Sequence, residues 1–169
     1  MLDKSTLKAA IKAIEQDFNR PVDDEDSAWF EHDMTAEQAA NLWADAMEAY
    51  ASGVLQGGSG AATGRAPLAS ALKTAFEAHA PTPVALAAAM ELAFTAFATA
   101  VATGMASTTP IPFTGVPPVG PVGFASLLAA PSQTAEASAT ALSNAIDTWM
   151  KTGSATPNTP PGAGSAPWS

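Results

Sequence analysis

Residues 83–105 read PVALAAAMELAFTAFATAVATGM, and the role of this stretch decides the fold. It is long enough to cross a bilayer. Alanine dominates it, however, and Glu91 sits near its middle, where a carboxylate in hydrocarbon is costly. Met90, Phe94, Phe97, Val101 and Met105 recur at i, i+4, i+7, i+11 and i+15, one stripe of a helix. Thr82 is placed to cap the first turn, Pro83 fits the first helical position, and Gly104 suits the end. The stretch therefore reads as the buried core helix of an α-helical protein. A membrane hairpin or span over 83–105 is the alternative.

Working outward, Leu7, Ile11, Ile14 and Phe18 form a second helical stripe, with Ser5 as the expected N-cap and Pro21 as the stop. Thr35-Ala-Glu-Gln38 has capping-box spacing and opens a helix to about Ser52, with Trp43, Met47, Tyr50 and Val54 on one side. QGGSGAATGRAP (56–67) reads as a Gly-rich loop, with Pro67 starting a short helix, Leu68–His79, that turns Leu72 and Phe76 inward. Ser132 or Thr134 caps a last helix to Lys151, with Leu142, Ile146 and Trp149 inward and Gly153 at a left-handed C′ position. The one strand candidate is Val119–Phe124. The expected fold class is all-α: about five helices in a compact bundle, with an extended Pro/Gly-rich middle segment and C-terminal arm. The expected division is a helical body over 1–106 whose N-terminal third is acidic, an extended apolar segment over 107–131, a last helix over 132–152 packing on the body, and an extended arm over 153–169.

The chain has 169 residues, no cysteine and a net charge of −9. That length supports a hydrophobic core without disulfides or a structural metal. Twelve of the sixteen acids lie in residues 1–50 against four basic residues, so the remainder is nearly neutral. An acidic balance disfavours direct nucleic-acid binding, which needs clustered Lys and Arg. The amphipathic opening MLDKSTLKAAIKAIEQDF, with its acids, predicts no secretory leader.

Chemistry-bearing clusters are few. Glu31-His32-Asp33 has metal-ligand residue types, but neighbouring residues diverge, and a polar approach to the Thr35 helix accounts for them. Asp23-Asp24-Glu25-Asp26 lacks the spacing and glycine of a calcium loop. QGGSGAATGR lacks the Lys-Ser/Thr of a phosphate loop, since Arg65-Ala66 follows the last glycine. With two histidines, of which His79 is placed to interact with the end of its own helix, and no Gly-x-Ser-x-Gly elbow, a nucleophile–base pair has little to draw on. Asp45 and Glu48 fall on a solvent face. The expectation is a non-enzyme with no catalytic residue, cofactor or metal.

TPIPFTGVPPVGPVGF (109–124) carries prolines at 110, 112, 117, 118 and 121 and no charge. Such a segment is stiff and extended, and Ile111, Phe113, Val116, Val119, Val122 and Phe124 form an apolar strip that something must cover. The cover is either the chain's own helices or a neighbouring subunit, and the near-neutral surface around the segment favours a neighbour. Trp29, beside Phe30, is a staple or an exposed anchor. Trp168, in the GSAPW tail, is a candidate anchor for a partner. AVATGMASTTPIPFTGVPP and TWMKTGSATPNTPPGAG also echo each other: twice a helix ends at Thr-Gly and passes into a Pro/Gly arm.

Across residues 85–169 the Ala-rich body, TGMASTTPIPFTGVPPVGPVGFASL and the Pro/Gly-rich C-terminus resemble small Ala/Pro-rich structural proteins of tailed bacteriophage virions. The resemblance implies a non-catalytic subunit of a tail, baseplate, neck or capsid, assembled in the host cytoplasm. Its expected partners are other copies of itself and neighbouring virion proteins. A helical small-molecule binding module, with the Met/Phe stripe lining an apolar pocket, is a further alternative.

Overall fold

A computed structural model of the chain describes residues 2–18, 34–54, 58–78, 82–108, 111–129, 134–159 and 164–168. The expectations for Pro21, the acidic run 23–26, Trp29, Phe30, the 31–33 cluster, His79 and Ser132 lie outside these residues.

Asp3, rather than Ser5, caps the first helix, α1 (Lys4–Phe18). Its carboxylate accepts the N–H groups of Ser5 (3.0 Å) and Thr6 (3.2 Å) and the Thr6 hydroxyl (2.7 Å). A carboxylate at a helix N-terminus also complements the macrodipole, so it outcompetes a serine two residues later. α2 (Ala36–Ala51) opens with the expected capping box: Thr35 Oγ1 accepts the Gln38 N–H, and Gln38 Oε1 accepts the Thr35 N–H at 2.6 Å.

α3 (Gly58–Glu77) corrects the sequence reading. The Gly-rich stretch is helix, and Pro67 lies inside it. The glycines are there for packing. A Cβ on Gly60 would lie 2.6 Å from the Ala100 carbonyl oxygen, and one on Gly64 would lie 2.9 Å from the Phe97 ring. Two glycines four residues apart thus let α3 press its backbone against α4 (Pro83–Gly104), and that burial outweighs the glycines' low helix propensity.

On α4, Thr82 and Pro83 behave as expected, with Thr82 Oγ1 accepting the Ala85 N–H at 3.2 Å. A single 3₁₀ turn, Met105–Ser107, ends it. The expected stripe, Met90 through Met105, is buried. Then follow β1 (Phe113–Val116), a one-turn helix α5 (Phe124–Leu128), α6 (Ala135–Met150) capped by Thr134, β2 (Ser154–Pro157) and β3 (Ala166–Pro167).

Helix neighbours run α6–α1–α2–α3–α4–α5 and back to α6, a ring around one core. The architecture is predominantly all-α. Trp43, Tyr50, Phe94, Phe97, Leu142, Ile146 and Trp149 fill the interior, and Phe94 meets Trp43 and Phe124 edge-on at 5.9 and 4.9 Å. Tyr50 donates its hydroxyl to Asp147 Oδ1 at 2.9 Å, joining α2 to α6 in the core. Asp147 is also paired with Lys151 Nζ at 2.8 Å. Burial and the neighbouring carboxylate push the Tyr50 phenol far up, so it stays a donor.

The arms are not free. β1, β2 and β3 form an antiparallel sheet in that order, with Phe113 opposite Pro157, Val116 opposite Ser154, and Ala155 opposite Ala166. The strand falls at 113–116 and not at 119–124, because Glu91 claims the N–H groups of 122–124. The two echoing helix-to-arm transitions are therefore paired with each other, side by side at one end of the ring.

Candidate interaction surface

Glu91, the acid that argued against a membrane span, turns out to hold the proline segment. Its carboxylate, on α4, accepts the backbone N–H groups of Val122 (2.7 Å), Gly123 (2.7 Å) and Phe124 (2.9 Å). Hydrogen bonds to an ionised acceptor are the strong ones, and three on one carboxylate fix both the side chain and the chain it grips. Gly123 adopts φ +99°, a conformation that suits glycine and lets three successive N–H groups converge. From the other side, α6 and the turn that follows it add two tethers: Trp149 Nε1 donates to the Gly120 carbonyl at 2.8 Å, and Thr152 Oγ1 accepts the Val119 N–H at 3.2 Å. The segment is strapped across its own helices.

This strapping divides the expected contact strip. Val122 and Phe124 are buried in the chain's own core, and Phe113 is half-buried against it. Ile111, Val116 and Val119 are exposed, Val119 by 69%. Trp168, expected to anchor a partner, is instead buried at 0% exposure within its own chain. Its ring lies on Gly153, where a Cβ would come within 2.7 Å, and its backbone N–H donates to the Gly153 carbonyl at 2.9 Å. Gly153 does not take the left-handed φ expected of it. A glycine is required there because the indole occupies the space of a side chain.

The surface around the strap lacks charge. Between Glu77 and Glu136 the sequence holds one Asp, Glu, Lys or Arg, and that is Glu91. Along the outside of α4, Val84, Ala88, Leu92, Thr95, Ala96, Thr99 and Thr103 are exposed, Leu92 by 74%. On the packed neighbour α3, Ala66, Pro67, Ser70 and Ala71 are exposed and uncharged too. By length and composition Pro83–Ser107 is apolar enough to cross a membrane, and 39% of its most apolar window is buried in the protein. Charge gathers elsewhere. Lys73 pairs with Glu37, Arg65 with Asp45 and Glu48, and both Lys8 and Lys12 with Glu136.

At one end of the ring a cavity of about 290 Å³ is lined by residues of α1 to α6, including Ile14, Trp43, Phe76, Met90, Leu128 and Leu142. Among the described residues, no three His, Cys, Asp or Glu side chains gather as a metal site. The sequence reading missed the Glu91 grip and the Gly60/Gly64 contact. An acid in an apolar helix and paired glycines at i, i+4 were the signals available for them. No protein-family model matches the chain, and no curated protein or solved structure is detectably similar to it.

Proposed function

We propose that the protein is a non-enzymatic structural subunit of a large symmetric assembly, with a bacteriophage tail, baseplate, neck or capsid as that assembly. The observation that carries this reading is the uncharged exterior of α4 and the strap on a molecule of net charge −9. Apolar patches of this kind on soluble proteins mark contact surfaces, and burying them among subunits removes their exposure to water. Ile111, Val116 and Val119 are the strap residues left to meet neighbours, whether copies of the chain or other virion proteins. The virion itself is proposed from the resemblance of residues 85–169 to phage structural proteins. Mass spectrometry of purified particles from the source phage tests it: the chain is expected in stoichiometric amount, and its absence from the particles overturns the virion assignment. Light scattering of the isolated full chain tests the assembly. A discrete multimer is expected, and a monomer at every concentration counts against it.

The cavity favours a second reading, a helical module for a small apolar ligand. Trp43, Phe76 and Met90 give it an aromatic and thioether lining of the kind that accepts flat apolar molecules. Titration with an environment-sensitive naphthalene dye, read against a Met90→Trp variant that fills the cavity, separates the two readings. Saturable binding that is lost in the variant supports the ligand module.

A further inference from the structure

We infer that the outer face of α4 is where a second copy of this chain docks, α4 against α4; the inference rests on the assembly reading and names the surface it uses. Val84, Ala88, Leu92, Thr95, Thr99 and Thr103 advance by four, four, three, four and four residues, so they share one side of the helix. That side is more apolar than its threonines suggest. Thr99 Oγ1 donates to the Thr95 carbonyl and Thr103 Oγ1 to the Thr99 carbonyl, each at 2.8 Å, so neither hydroxyl donor needs a partner outside the helix. The one acid at its border, Glu91, already spends both carboxylate oxygens on the strap.

The occupant follows from charge and shape. A basic partner would be drawn to the acids of residues 1–50, none of which lies on α4. A membrane surface is met by Lys and Arg around an apolar face, and this face has neither. The face does match itself. In an antiparallel two-fold pairing, Val84 lies opposite Thr103, Ala88 opposite Thr99 and Leu92 opposite Thr95, a larger side chain against a smaller one in the two inner pairs. Ala96, beside Thr95, leaves room for the partner's leucine. α4 has 22 residues and is about 33 Å long at 1.5 Å per residue. With α3 beside it, the platform covers on the order of 600 Å² per copy, near the ~800 Å² of a standard interface.

Sedimentation velocity on the full chain, wild type against Leu92→Glu, is the test. Leu92 is largely exposed, so circular dichroism and the melting temperature are expected to be unchanged, while self-association weakens at least about tenfold. Because the chain has no cysteine, Thr95→Cys supplies a single thiol close to the proposed two-fold axis. Its oxidation is expected to give a covalent dimer, and Ala62→Cys, exposed on α3, is expected not to. A multimer that Leu92→Glu leaves intact overturns the docking face and leaves the assembly reading standing. A wild type that stays monomeric, with no crosslink at 95, overturns both. Flotation of the wild type with phosphatidylcholine vesicles, lost in Leu92→Glu, overturns the inference by assigning the face to lipid.

Discussion

Trp168 shows how little a residue's type says about what it faces. A tryptophan in a Pro/Gly tail has the composition of an interface anchor, yet the chain returns it to its own core through the short β2–β3 pairing and a glycine-sized gap. Its indole N–H is buried with no partner, an unusual expense for tryptophan. Shape rather than hydrogen bonding therefore holds the ring. Trp168→Phe, which keeps a ring and deletes the orphan donor, is expected to cost less than about 1.5 kcal/mol. Trp168→Ala is expected to cost about 3–5 kcal/mol. Urea unfolding midpoints of the two variants check the ordering. Glu91 is the converse case, a polar residue whose worth lies in what it grips. Glu91→Gln puts an amide NH₂ where an oxygen now accepts, so at least one of three strap N–H groups loses its partner. A loss of about 1–3 kcal/mol is expected. It should be accompanied by faster hydrogen exchange at Val122, Gly123 and Phe124 than in the wild type.

At the scale of elements, legibility followed locality. α1, α2, α4 and α6 each carry a stripe at 3.6-residue spacing, and α2, α4 and α6 a Thr cap, all within a few residues of one another, so the sequence displays them. Of α3 the sequence displays only the second half, from Leu68, with Leu72 and Phe76 inward; the first half is hidden, since Gly57, Gly58, Gly60 and Gly64 together with Pro67 weaken every local helical preference there. Only contact with α4, far along the chain, rewards that composition. Gly60→Ala tests the point. Alanine is the better helix former, yet its Cβ would meet the backbone of Ala100 and Val101 at 2.6–2.8 Å, and backbone cannot swing aside. A destabilisation of about 1–3 kcal/mol is expected in denaturant melts, opposite in sign to the propensity change. The sheet was illegible for a related reason. Pro, Gly and Ala make poor strand signals, and the register of 113–116 with 154–157 is fixed by the helices that bring them together. The apolar strip was visible in the sequence as a strip. Which half of it faced home depended on Glu91, and no periodicity encodes that.

The whole molecule separates its charged and uncharged parts, and the two should answer differently to solution conditions. Glu136 joins α6 to Lys12 and Lys8 of α1, and these ammonium groups hold its carboxyl down at about 2, against an ordinary 4.5. A pKa lowered by folding stabilises the folded state above the unfolded value, and the contribution is lost as pH falls from 4.5 towards 2. The pair lies at the surface, so the effect is small and screened by salt. Comparing wild type with Glu136→Gln is expected to show a stability gap above pH 4.5 that closes through this window. Self-association should respond to salt with the opposite sign from an ion-paired interface. If copies meet through the uncharged face of α4, the electrostatic term between them is the mutual repulsion of two chains at −9 each. Added salt screens that repulsion, within a Debye length of about 8 Å at physiological ionic strength, and removes no attraction. Association measured by light scattering is therefore expected to strengthen as sodium chloride rises. An interface built on Lys73, Arg65 or Lys151 against acids of the partner would instead weaken over the same range.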